Sequence, residues 1–176
     1  MLRRARPNEI PEITRTMKAS ARELGKAFYG PDENASFEAY VAVCDVQLVD
    51  DGTYFVVEGD EATPIAACGG WSKRDKLFTG NDGQAGGARL LSPGKEPARV
   101  RAMFVHPSFA RRGLGRKILE ACEADARAAG FSAAEMMATL PGVPLYRACG
   151  YADVAPFDVM LPNGLALPCL RMTKAL

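Results

Sequence analysis

Arg99-Val100-Arg101-Ala102-Met103-Phe104-Val105, then His106-Pro107, then Ser108-Phe109-Ala110-Arg111-Arg112-Gly113-Leu114-Gly115-Arg116-Lys117: this stretch decides how the rest of the chain is read. The first seven residues predict a strand, His106-Pro107 ends it, and an amphipathic run from Leu114 to Ala129 predicts a helix. Gly113 and Gly115, in the tight turn between them, carry no Cβ. The main chain there can approach a ligand closely and adopt conformations closed to other residues. The helix that follows presents unpaired N–H donors and the positive end of its dipole. From Arg99 to Lys117 there are five arginines, one lysine and no acidic residue, against 22 basic and 21 acidic residues overall. The segment is therefore strongly positive while the remainder of the chain is net negative. Such a turn suits an anionic ligand held by main-chain amides, with Arg111, Arg112 and Arg116 adding longer-range attraction.

Phosphate-binding patterns can be compared directly with the turn. A P-loop requires Gly-Lys-Ser/Thr, whereas Gly115 is followed by Arg116-Lys117-Ile118. A dinucleotide fold requires Gly-x-Gly-x-x-Gly/Ala, and Ile118 occupies the third position. Both fit poorly, and an ordinary strand–turn–helix with exposed arginines stays open as an alternative.

Ala110 to Gly115 resembles the acyl-CoA-binding motif of the GNAT superfamily of N-acetyltransferases, Gln/Arg-x-x-Gly-x-Gly/Ala after a strand ending near a proline. Ala110 stands where that pattern has Gln or Arg. A second segment, Leu140-Pro141-Gly142-Val143-Pro144-Leu145-Tyr146-Arg147-Ala148-Cys149-Gly150-Tyr151, resembles the family's Leu/Phe-Tyr-x-x-x-Gly-Phe/Tyr ending. The resemblance is specific over roughly 99–151 and follows the family's order of elements over most of the rest.

The resemblance implies an α/β fold: one mixed, mostly antiparallel twisted sheet of about seven strands, flanked by about four helices, as a single domain over 1–176. It also implies acetyl-CoA as cosubstrate and direct attack of a primary amine, from a small molecule or a peptide, on the thioester. By the same resemblance the amides of Arg111, Arg112, Gly113, Leu114, Gly115 and Arg116 hold the diphosphate. Met103, Phe104 and Val105 take the pantetheine arm and thioester carbonyl, Thr139 stands at a further cofactor contact, and Tyr146 is the catalytic acid. A phenol with a pKa of about 10 stays protonated at neutral pH and can donate to a departing thiolate. Thr139 replaces a frequent Asn. No residue matches the family's Glu base: Arg101 lies on the central strand, and alternation turns Glu135 to the face opposite Ala134. A catalytically weak acyl-CoA-binding sensor or partner module is the alternative, and a nucleic-acid-binding role lacks aromatics interleaved with the arginines.

Composition agrees with a globular chain: 48% apolar, 24% charged and a net charge of +1 over 176 residues. Nothing in that balance favours nucleic acid or membrane partners. The start Met1-Leu2-Arg3-Arg4-Ala5-Arg6-Pro7 lacks a signal-peptide core. Five scattered cysteines, each beside apolar residues, read as buried thiols in a reducing cytoplasm. One histidine and no Cys-x-x-Cys argue against a metal site. A monomer or homodimer is expected from the family.

Before the central strand, Met1–Ala5 reads as a short strand, and Ile10, Ile13, Met17 and Ala21 recur at helical spacing. Asp32 is placed to cap a second helix bearing Phe37, Tyr40, Val41 and Cys44. Phe28, Tyr29, Phe37 and Tyr40 read mainly as core residues. Thr53–Glu58 and Pro64–Trp71 predict a hairpin, with Gly69 and Gly70 marking a bulge or a close approach. Trp71 is open between an acceptor pocket and the core. The glycine-rich connection 73–97 is placed at the acceptor mouth. Phe131–Thr139 reads as the next strand. A closing hairpin is expected around Phe157–Leu161 and Ala166–Thr173, joined at Pro162-Asn163-Gly164.

Overall fold

The computed structural model describes residues 1–76 and 89–176. The middle of the 73–97 connection, with Gly80, Gly83, Gly86 and Gly87, lies outside the described residues. The ends of that connection lie together: the Leu91 N–H donates to the Lys73 carbonyl at 2.8 Å and the Asp75 N–H to the Arg89 carbonyl at 3.1 Å, while Arg74 binds Asp51 at 2.8 Å.

Strand β1 (Leu2–Arg4) leads through a single 3₁₀ turn into α1 (Ile10–Leu24). Ile13, Met17 and Ala21 recur one helical turn apart and are buried, so one face of α1 lies on the sheet. The Thr16 hydroxyl donates to the Ile65 carbonyl at 2.7 Å and pins that face. Helix α2 (Pro31–Ser36) starts differently from expectation. Gly30 holds the cap position and Pro31 opens the helix, leaving Asp32 in its first turn. The Glu33 carboxylate takes over the capping work by accepting from the Gly30 N–H at 2.9 Å. Tyr29 and Phe37 are buried and meet edge to face, whereas Phe28 is exposed. A π-helical turn and α3 (Val46–Asp50), which no sequence pattern announced, complete this layer.

The hairpin of β2 (Tyr54–Glu58) and β3 (Ile65–Ser72) forms as expected, and β4 (Ala98–Val105) pairs antiparallel with β3. The chain then crosses over through α4 (Leu114–Ala128) to β5 (Ala133–Thr139), which runs parallel to β4. After α5 (Val143–Ala148) come β6 (Ala152–Met160) and β7 (Ala166–Ala175). Among the described residues these seven strands form one sheet in the order β1-β2-β3-β4-β5-β7-β6. Every pairing is antiparallel except β4 with β5. The connectivity requires this, since a crossover helix returns the chain in the same direction.

Two apolar layers result. Ile13, Met17, Phe37, Leu48, Tyr54 and Phe104 fill the face under α1–α3. Val100, Ile118, Leu119, Cys122, Met136 and Tyr146 fill the face under α4 and α5. Trp71 belongs to this second layer: it is buried, packs edge to face on Phe131, and donates from Nε1 to Asp125 at 2.8 Å. It is a core residue, because its strand position turns it toward α4.

Candidate active site

The site begins with a defect in the sheet. Strands β4 and β5 pair only at Ala98 with Ala134 and Arg99 with Glu135, then separate. Two neighbours pull them apart. On one side β5 stays paired to β7 from Ala133 through Thr139. On the other, β4 follows β3 through a bulge, in which Ala102 and Met103 together face the single residue Gly69. Ala102 sits at φ 55°, a left-handed conformation that costs a residue with a side chain about 1–2 kcal/mol. Gly69 makes room for it, since a Cβ there would lie 2.2 Å from the Met103 Sδ. Gly70 is equally constrained, with a notional Cβ 2.6 Å from the Tyr54 ring. Both glycines thus do what their position inside a strand announced.

The gap between the strands is a narrow cleft, open to solvent. Val100, Met136 and Tyr146 line it on the α4 and α5 side, and Arg101, Met137 and Thr139 are among the others around it. Met103 and Phe104 also border it. His106 donates to the Ala66 carbonyl at 2.9 Å, so strand alternation turns the Val105 N–H the other way, toward the gap.

Tyr146 is buried, and its ring packs edge to face against Tyr151. Gly142 makes this possible, because a Cβ there would lie 2.5 Å from the ring. Burial pushes the phenol above its ordinary pKa, so it stays protonated. Among the described residues no group hydrogen-bonds its hydroxyl.

The basic turn lies at the other end of β4. Arg111 at φ 63° and Gly113 at φ 76° fold the main chain back before α4. The first intrahelical bond runs from Lys117 N–H to the Gly113 carbonyl, leaving the N–H groups of Leu114, Gly115 and Arg116 without helical acceptors. The two glycines differ in role. Nothing lies within 4 Å of a notional Cβ on Gly113, so its left-handed backbone is what requires glycine. Gly115 is buried instead, and its notional Cβ would lie 2.8 Å from the Leu145 Cδ2. That contact seats α4 against α5, one residue from Tyr146. Arg116 donates to the Ala148 carbonyl at 3.2 Å, and Arg112 lies over the Phe109 ring at 5.1 Å.

The charge counted along the sequence is divided in space. Arg99 and Arg101 alternate onto the α1–α3 face and pair with buried carboxylates: Arg99 with Glu135 at 2.7 Å, Arg101 with Asp45 at 3.0 Å. They are therefore not part of the basic turn, which keeps Arg111, Arg112, Arg116 and Lys117. Glu135 is further held by Arg171 at 2.9 Å. Burial lowers the Arg101 pKa, while Asp45 and Asp51 oppose the shift. A guanidinium starts so high that it stays charged. The cleft lining contains no carboxylate among the described residues. Sequence reading missed Tyr54, whose hydroxyl donates to the Ala102 carbonyl at 2.8 Å, because nothing along the chain links two residues 48 positions apart. Among the described residues no three metal-ligating side chains group together.

Comparison with known proteins agrees with this fold. The sheet superposes on a GCN5-related N-acetyltransferase from Rhodopseudomonas palustris with a TM-score of 0.73 at 18% identity, covering 100% of this chain and 95% of the other. A PaiA N-acetyltransferase from Thermoplasma acidophilum, in complex with coenzyme A, matches with a TM-score of 0.66 at 8% identity, covering 100% and 98%. An IAA acetyltransferase from Azospirillum brasilense is 39% identical over 71 residues, 39% of this chain and 46% of that protein. The match thus spans about half the length of that curated relative. The acetyltransferase (GNAT) family model matches residues 18–151, and the fold is the family's. The chain belongs to the acetyltransferase (GNAT) family.

Proposed function

We propose that the protein transfers an acetyl group from acetyl-CoA to a primary amine by direct attack. The observation that carries this reading is the parting of β4 and β5 around a protonated Tyr146 hydroxyl that no neighbour occupies. The open amides at residues 111–116 fit a diphosphate, and the cleft leading from them fits an extended arm. The Val105 N–H and the Met103 main chain at the bulge are placed to polarise the thioester carbonyl. The amine nitrogen forms the new bond to the carbonyl carbon, the carbon–sulfur bond breaks, and Tyr146 donates to the departing thiolate. With no carboxylate lining the cleft among the described residues, the amine attacks in its neutral form, the ammonium so formed gives its proton to water, and water returns a proton to Tyr146.

An acyl-cysteine route has no support in these side chains. Burial pushes the thiols of Cys44, Cys68 and Cys169 up to about 12 and raises Cys122 and Cys149 as well. A thiol held up in this way is a poor nucleophile at neutral pH. Release of free thiol from acetyl-CoA across a panel of primary amines tests the proposal. Amine-dependent release supports transfer. Binding of CoA without release would instead favour a sensor or partner module.

A further inference from the structure

The strongest unexplained feature of the cleft is Arg101. Its side chain is only 2% exposed, and Asp45 engages only Nη2. Nε and Nη1 are buried without a hydrogen-bond partner. Three N–H bonds of a charged group are therefore left open on a residue that lines the cleft. Leaving such donors unmet costs free energy that a bound acceptor atom would recover.

The surroundings fix the sign of that acceptor. Among the described residues on this face, Arg99, Arg101 and Arg171 meet two carboxylates, Asp45 and Glu135, leaving one positive charge in excess. Asp51 is held by Arg74. Met137 and Val41 border the same space with apolar surface, which strengthens any charge contact made there. A simple amine offers Arg101 nothing and is repelled once protonated. An amine bearing a carboxylate brings the missing acceptor.

Resting on the transferase reading above, we infer that Arg101 selects acceptor amines that also carry a carboxylate, such as amino acids or acidic peptides. The carboxylate oxygen takes the open Nε and Nη1 hydrogens while the amine reaches the thioester.

The test compares kcat/KM for matched acceptors: free amino acids, their carboxamides, the corresponding decarboxylated amines, and dipeptides with or without an acidic side chain. The wild-type protein is expected to favour the carboxylate-bearing member by roughly 10–100-fold, the range for a charge-assisted contact. Preference for free amino acids or for acidic dipeptides identifies which source supplies the group. Arg101→Lys keeps the charge and should keep part of the preference. The double variant Arg101→Met with Asp45→Asn leaves no lone buried charge and should lose the preference while still melting higher with CoA. Equal turnover of acids, amides and plain amines by the wild type overturns the inference and leaves the transferase reading intact. CoA binding with no turnover of any amine overturns both.

Discussion

The Tyr54 hydroxyl donates a 2.8 Å hydrogen bond to the carbonyl of Ala102, the left-handed residue at the centre of the β4 bulge. Tyr54 is completely buried and its ring fills the space that Gly70 leaves. The bond reaches across β3 to hold a strained peptide in place, and that peptide precedes the residues bordering the cleft. A strained conformation persists only where its surroundings over-determine it. Tyr54 acts on the site by fixing the strand that lines it.

Tyr54→Phe removes one oxygen and leaves the Ala102 carbonyl unpaired. The variant should lose about 1–2 kcal/mol of stability, and its kcat should fall by about tenfold while KM for acetyl-CoA stays close to wild type. Steady-state kinetics alongside a denaturant melt checks this. A loss of stability with unchanged kcat would make Tyr54 a core residue and nothing more.

The two glycines of the basic turn should fail in different ways. Gly113→Val forces a β-branched side chain into a left-handed conformation with open space around it. The fold should survive with CoA affinity abolished, as calorimetric titration would report. Gly115→Val drives its side chain into Leu145 and should lower the melting temperature first. The reverse pattern would misplace the anion site.

Tyr146→Phe should lower kcat by about 10²–10⁴-fold, the usual worth of a positioned acid, with CoA affinity retained. Because burial raises this phenol, it remains a donor across the whole neutral range. With no base lining the cleft among the described residues, log kcat/KM should climb with pH until the acceptor amine is itself neutral. A plateau reached near neutrality with every amine, whatever its basicity, would point to a protein base instead.

Much of the fold was legible along the chain because its signals are local. Unbroken runs of apolar, β-branched and aromatic residues mark β2 and β3, helical spacing marks α1 and α4, and Gly-bearing turns mark their ends. The basic turn before α4 was legible for the same reason, since Gly113 and the start of the helix are adjacent in sequence. What stayed hidden depends on contacts between distant residues. Arg99 and Arg101 add to the positive charge near the turn when read as a string, yet their strand faces Asp45 and Glu135. Trp71 is assigned to the core only once Asp125 and Phe131 are seen beside it. The five-residue α3 is too short to show a period, although Asp45 caps it by accepting from the Gln47 N–H.

Alkaline stability supplies a final check on how these groups are buried. Burial raises the thiols of Cys44, Cys68 and Cys169 from 9.0 to about 12, and raises the phenols of Tyr29, Tyr54, Tyr146 and Tyr151 above 10.0. The folded protein therefore keeps protons that the unfolded chain releases. The stability these groups contribute is complete below their unfolded values and is lost as pH rises toward the folded ones. Unfolding free energy should fall from about pH 9 upward, where thiols begin to ionise in the unfolded chain, and more steeply above about pH 10 as tyrosines join. Urea melts across that range measure it, with tyrosinate absorbance followed in a Tyr40→Phe background, which removes the one tyrosine that is only partly buried, and rising as the protein unfolds. Tyrosinate appearing in that folded variant at about pH 10, and lost when Tyr146→Phe is added, would mean that the cleft admits water to Tyr146 far more freely than its packing against Gly142 and Tyr151 implies.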